Sequence, residues 1–368
     1  MKNIFTLQNI FLISFFLAFL SGCTAINHPY NDFKNISQGN FKKAQWTELK
    51  EFESDDLDEA FMVFKKGCQS SKNSLQKLCE LAKDTNNSKS FFINNFEPYK
   101  LYDNSNNDKG LITGYFEPLL YGSREKIEKY KYPIYKTPKD LVVINLKQFS
   151  SELPKKKLIG KVVENQFIPY DTREEITKRE DLEPICYVDN KVDLFFLHIQ
   201  GSGRVQLDTN ETINIGYSGQ NGRDYFAIGK QLVANGEIKK EEISLQTIRK
   251  WLESYPDKSE EILNLNKSYI FFEESNTSAS GSLGVELVEK RNIAVDTSII
   301  PLGYPVFLKT TNPITKEKIN RLVVAADTGG AIKGEIRADF FFGFGKKAEE
   351  LAGIMKEEGK MYIFIPKK

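Results

Sequence analysis

DTGGAIKGEIRADFFFGFG, Asp327–Gly345, places two aspartates twelve positions apart across a glycine-rich connection and sets three phenylalanines directly behind the second. Asp327 ends the apolar run RLVVAA, Asp339 opens Phe340-Phe341-Phe342, and a third aspartate, Asp296, closes NIAV further upstream. Three carboxylates at the ends of strand patterns fit one end of a compact β-barrel, where strand termini converge and present side chains instead of burying them. Any one of them could equally be a turn or cap residue, where aspartate commonly sits. The phenylalanines add a chemical motive. A free aspartate titrates near ~3.9. Aromatic surroundings desolvate a carboxylate and a second carboxylate repels its charge, so both would keep Asp339 protonated at higher pH. Gly329 and Gly330 would let the backbone approach a bulky substrate closely.

The strand signature extends outward from this stretch. SYIFFEE, RNIAVD, YPVFLKT, RLVVAAD and MYIFIPK are short apolar runs between turn residues, interrupted by one helical pattern, KKAEELAGIMKEEG. From Gly110 onward LITGYFEPLL, YPIYKTP, LVVI, VDLFFLHIQG and TINIGYSG are likewise expected as strands. Helices are expected at Tyr225–Ala234 and Leu245–Tyr255, the latter stopped by Pro256. Between Trp46 and Lys83 apolar residues recur at helical spacing (Leu57, Ala60, Phe61, Phe64, then Leu75, Leu78, Leu81). The chain is therefore expected to be mainly β with a helical N-terminal segment.

At the N-terminus Lys2 precedes the apolar run Ile10–Cys23, which is shorter than the ~20 residues a spanning helix needs and fits a signal peptide. Its end, Leu20-Ser21-Gly22-Cys23, resembles the bacterial lipobox, so Cys23 is the expected lipidation site. More than one acyl chain gives stable anchoring. Thr24 follows where an aspartate would signal inner-membrane retention, which favours the outer membrane, facing the periplasm. Charge is balanced, 51 Lys+Arg against 50 Asp+Glu, and this argues against nucleic acid as a partner. Of the other cysteines, Cys68 and Cys79 flank a polar turn between two helical patterns and are either a disulfide or two buried thiols. Cys186 reads as a small buried hydrophobe.

Only two histidines exist, His28 and His198, so a structural zinc site or a Ser-His-Asp triad is improbable and no metal or cofactor is expected. Chemistry, if present, falls to carboxylates, and glycosidic cleavage leads among reactions they can perform. QGSGR, Gln200–Arg204, lacks the Gly-Lys-Ser/Thr and the βαβ context of a phosphate loop. TGYFEP, Thr113–Pro118, and GYSGQNGRDY, Gly216–Tyr225, mix aromatics, glycine and amides in a way that suits a sugar-binding cleft. As isolated motifs they are loops more often than sites.

Several stretches together resemble the MltA family of membrane-bound lytic murein transglycosylases: Gly114–Pro118, Phe195–Arg204, Gly216–Gly222, Arg291–Asp296, Ile300–Gly303 and Asp327–Gly345. The likeness runs in order over roughly 91–366, and Cys68 and Cys79 sit where the family tends to place a cysteine pair. It implies a double-psi β-barrel marked by three aspartates, built from residues 45–118 and 266–368. A β-rich domain, 119–265, is inserted to form the other wall of a glycan cleft, behind a signal peptide (1–22) and tether (23–44). It also implies a carbon–oxygen lyase that cleaves the β-1,4 bond between N-acetylmuramic acid and N-acetylglucosamine, leaving a 1,6-anhydro end, with exo or endo action left open. By motif position Asp339 would be the acid and base, Asp327 and Asp296 its supports. Tyr115, Glu117, Gln200, Ser202, Gly203 and Arg204 would contact substrate, as would Tyr217, Asn221, Gly329, Gly330 and Lys333. Peptidoglycan strands are the implied partner, with room for cell-wall synthases or division proteins. His198 stands where the family usually has an amide, Ser282 where a proline is common, and Glu273-Glu274 where a basic residue often follows the Phe pair. A hydrolytic muramidase and a non-catalytic peptidoglycan-binding lipoprotein are the alternatives.

Overall fold

Strands from both ends of the chain meet in one sheet. The computed structural model describes residues 40–367, so Cys23, His28, the signal segment and most of the tether lie outside them. β1 (Asn40–Lys43), β2 (Phe96–Tyr102) and β3 (Gly110–Glu117) come first. β4 (Leu119–Ser123), β5 (Tyr132–Tyr135), β6 (Val142–Asn145), β7 (Lys157–Val163), β8 (Gln166–Pro169), β9 (Pro184–Val188), β10 (Gly203–Leu207), β11 (Thr212–Gln220) and β12 (Ile270–Ser275) follow. The last are β13 (Asn292–Val295), β14 (Pro305–Thr311), β15 (Lys318–Asp327), β16 (Arg337–Phe344) and β17 (Lys356–Pro366).

The first sheet runs β1-β2-β17-β14-β15-β13-β16-β3, and β17 also pairs with β3, so the strands from β17 round to β3 close into a barrel. β17 achieves this by length: Lys356–Gly359 pairs with β3, and Tyr362–Pro366 with β2. β13 is buried at every position, as a barrel strand covered on both faces must be. The outer cover is helical. Helix Leu57–Gly67, capped by Asp56 on the amide of Glu59, buries Leu57, Ala60, Phe61 and Phe64, the expected i, i+3, i+4, i+7 face. These join Phe52, Phe91, Phe92, Phe96 and Phe364 in one aromatic-rich core. Cys68 and Cys79 are bridged, with Cα atoms 5.4 Å apart, which ties this helix to helix Gln76–Lys83. Arg291, beside β13, is buried and paired with Asp55 and Glu59, fastening the N-terminal segment to the barrel.

The second sheet, β12-β11-β10-β4-β9-β5, has its own core around Leu120, Ile134, Val188, Leu197, Val205, Ile215 and Phe272. It takes in Ile270–Ser275 and so reaches past residue 265, the limit expected for the inserted domain. β6-β7-β8 form a separate three-stranded sheet.

Three local expectations are corrected. VDLFFLHIQG is not a strand but the helix Lys191–Gln200. Asn190 caps it through the amides of Val192 and Asp193, and Gly201 ends it at φ 79°, a left-handed stop that favours glycine. Pro256 does not merely stop a helix; it opens the next one, Pro256–Leu265, at a first-turn position where its missing N–H costs nothing. The helix in KKAEELAGIMKEEG ends at Ile354, and Lys356–Gly359 belong to β17, where pairing with β3 overrides their helical propensity.

Candidate active site

Four neighbouring barrel strands line up the site. On β13, Ala294 pairs with Asp327 of β15 on one side and Asp339 of β16 on the other, and Asp339 pairs in turn with Thr113 of β3. A register irregularity in β15 skips Ala326, which is what brings Asp327 opposite Ala294. Strands lie ~4.8 Å apart, so the two aspartate backbones are separated by about 10 Å, one on each side of Ala294, which is itself buried in a cluster with Tyr115 and Phe341.

Strand alternation decides what surrounds Asp339. Phe340 and Phe342 turn into the main core, whereas Phe341 shares the face of Asp339 and packs on Tyr115, ring centroids 5.0 Å apart. The expectation that all three phenylalanines keep Asp339 protonated is therefore corrected to one of them. Asp339 is largely buried yet keeps part of its surface open. Burial pushes its pKa up to about 6; the Thr113 hydroxyl, donating to Oδ1 at 2.6 Å, and the Arg337 charge pull the other way, and Asp327 adds a smaller upward push. Asp327 is also raised by burial, but its Oδ1 accepts from the Ser282 amide (2.9 Å), the Ser282 hydroxyl (2.8 Å) and the Thr328 amide (2.9 Å), all of which favour the charged form. The Tyr115 hydroxyl is buried beside both acids without a well-aligned partner, and burial together with their charge holds its pKa far above the usual range.

The remaining expected residues divide. Asp296 supports the wall of the site: it accepts from Ser298 N (3.1 Å) and Oγ (2.7 Å) and from Gly334 N (3.1 Å), and although burial opposes ionisation these bonds hold it below the usual range. Lys333 lies 4.0 Å from it and is mostly exposed. Gly330 is open to solvent in the turn after Asp327, beside a partly covered Gly329. Glu117, almost fully buried, accepts from Arg204 Nε (3.1 Å) and Nη2 (2.9 Å) and from Ala279 N (3.1 Å), and Arg204 lies 4.0 Å over the Phe344 ring. Gln200 accepts from Phe116 N at 3.3 Å. These contacts tie β10 and the helix before it to the barrel. Gly203 is buried, and a side chain there would strike Leu197. Ser202 is half-buried beside it, and Tyr217 is half exposed on β11. Asn221 is a correction: it is wholly buried, its amide donates to Asp171 O and Lys267 O, and its oxygen accepts from Tyr269 N, which leaves nothing to offer a ligand. Sequence reasoning did not single out Thr113, Ala294 or Arg337. Only the position of Thr113, two residues before Tyr115 in a strand pattern, hinted at a shared face.

One largely buried barrel carboxyl with a raised pKa, and a second fixed by hydrogen bonds on the other side of Ala294, define an enzyme of the carboxyl acid–base class. Comparison with known proteins makes this specific. Residues 111–273 match the family model for the MltA specific insert domain and residues 291–365 that for the 3D domain. A membrane-bound lytic murein transglycosylase A homolog of Buchnera aphidicola is 36% identical over 68% of this chain and 65% of its own length. The chain spans just under two thirds of that relative. Crystal structures of MltA from Neisseria gonorrhoeae (TM-score 0.78, 31% identity, 90% of this chain and 93% of that one) and of membrane-bound lytic murein transglycosylase from Agrobacterium tumefaciens (TM-score 0.80, 30% identity, 89% and 98%) share the fold. The chain belongs to the MltA family of lytic murein transglycosylases.

Proposed function

We propose that the protein is a peptidoglycan lytic transglycosylase in which Asp339 serves first as acid and then as base. Asp339 gives its proton to the glycosidic oxygen as the bond from C1 of N-acetylmuramic acid to that oxygen breaks. The muramyl C6 hydroxyl then attacks C1 and returns its proton to Asp339, leaving a 1,6-anhydro end with no water consumed. One observation carries this reading: strand register sets the partly covered Asp339 carboxyl against Thr113 Oγ1 at 2.6 Å and beside the Tyr115–Phe341 ring pair, surroundings that raise its pKa to about 6 and bring both protonation states within reach of the two steps. Asp327, held by three hydrogen bonds that favour its carboxylate form, stands on the far side of Ala294 to offset the positive charge that develops at C1. We further place the enzyme on the periplasmic face of the outer membrane, anchored through Cys23. The Cys68–Cys79 bridge supports an oxidising compartment, and the relatives are named membrane-bound.

The test is mass spectrometry of fragments released from purified sacculi by residues 40–368, beside Asp339→Asn. Fragments one water lighter than hydrolysis products, absent with the variant while it still binds sacculi, are expected. Reducing-end fragments would mean a hydrolytic muramidase, and undiminished release by the variant would remove Asp339 from its role.

A further inference from the structure

Arg337 stands two positions before Asp339 on β16, and strand alternation turns both side chains to one face. It is half-buried, and its Nη1 donates to the carbonyls of Ala338 (2.5 Å) and Leu111 (3.5 Å) at the barrel rim. Arg179, Arg204, Arg249 and Arg291 are each ion-paired with a carboxylate. Arg337 forms no ion pair among the described residues, and neither do Arg173 and Arg223, which are bound to backbone carbonyls. Its Nε and Nη2 donors have no acceptor there, and neither is sealed from solvent. Holding a guanidinium partly desolvated without a counter-ion is costly, and the planar fork it presents matches a carboxylate. The ionised Asp339 carboxylate acts on it through space, and that counter-charge is lost whenever Asp339 holds the proton the reaction needs.

On the glycan-cleaving reading above, the backbone sugars are uncharged wherever a peptide stem is attached, because the muramyl lactyl carboxyl is then an amide, and the free carboxylates sit on the peptides. We propose that Arg337 binds a free carboxylate of the peptide stem. Two strand positions span about 7 Å, which reaches from a glycosidic oxygen at Asp339 to a substituent of the adjoining sugar.

The test compares wild type, Arg337→Gln and Arg337→Lys on native sacculi and on sacculi whose carboxylates have been amidated with carbodiimide and ammonia. Initial rates are taken at limiting substrate. Wild type is expected to lose about tenfold or more on the amidated polymer, as loss of a charged hydrogen-bond pair implies. The native-to-amidated ratio should fall to near one for Arg337→Gln and lie between for Arg337→Lys, which keeps the charge without the fork. Equal wild-type rates on both polymers, or an unaltered ratio in Arg337→Gln, would overturn the assignment and leave cleavage standing. The wild-type ratio and the lysine variant decide the matter even if the glutamine variant does not fold. Release from neither polymer by wild type would refute the glycan-cleaving reading, and this proposal with it.

Discussion

Replacing Thr113 by valine tests how the acid is tuned. Thr113 Oγ1 donates to Asp339 Oδ1 at 2.6 Å, and this bond favours the carboxylate, so it opposes the upward pull of burial. Valine keeps the shape and deletes the donor. A hydrogen bond to a charged group contributes about 1.5–3 kcal/mol, and 1.36 kcal/mol corresponds to one pH unit. The acid limb of catalysis, which fails as Asp339 loses its proton above about 6 in the native protein, should therefore move upward by roughly one pH unit or more. The assay is the pH profile of kcat/KM for fragment release from sacculi. Wild type should decline tenfold per pH unit above its limb, and Thr113→Val should hold its plateau further into the alkaline range, with a lower maximum because the carboxyl is less firmly oriented. A limb that stays in place, or moves to lower pH, would show that Thr113 does not control the protonation of Asp339.

The same shift has a stability consequence: because the folded pKa of Asp339 lies above the unfolded value, the folded state binds more protons between about pH 4 and 6 and is destabilised as pH rises through that window. Asp339→Asn should therefore unfold at higher temperature than wild type at pH 7.5, by up to about 3 kcal/mol, with the gain gone near pH 4 in parallel calorimetric scans. His198 acts with the opposite sign. It is fully enclosed, burial and Arg173 hold its pKa well below normal, and its Nδ1 lies 2.8 Å from Arg173 Nη1, so stability is lost as pH falls below about 6.5, the unfolded value. His198→Gln should flatten that loss in urea melts at pH 7 and pH 5, and an unchanged difference between the two pH values would count against it. Removing the Cys68–Cys79 bridge by a double alanine substitution should cost roughly 3 kcal/mol in denaturant melts while leaving the pH profile of activity in place.

Local signals carried much of the fold. Helix Leu57–Gly67 was legible because its apolar residues follow one period over the whole element, and β13 and β15 because their short β-branched apolar runs are bounded by aspartates. Lys191–Gln200 was not, since its apolar run has no period; the caps Asn190 and Gly201 were the better guide. The three aspartates could be picked out as chemistry-bearing residues. Their partners could not, because Thr113, Ala294 and Asp339 meet through strand register between distant parts of the chain, and no local pattern encodes that register. Asn221 shows the converse failure: an amide in a sugar-friendly motif spends all its hydrogen bonds on the backbone.

The Thr113–Asp339 bond joins residues 226 positions apart, and the strand that closes the barrel beside it ends at Pro366. Such a site has no partial form. A chain lacking its last strand cannot close the barrel around the acid, so the site forms only when the two ends of the fold have met.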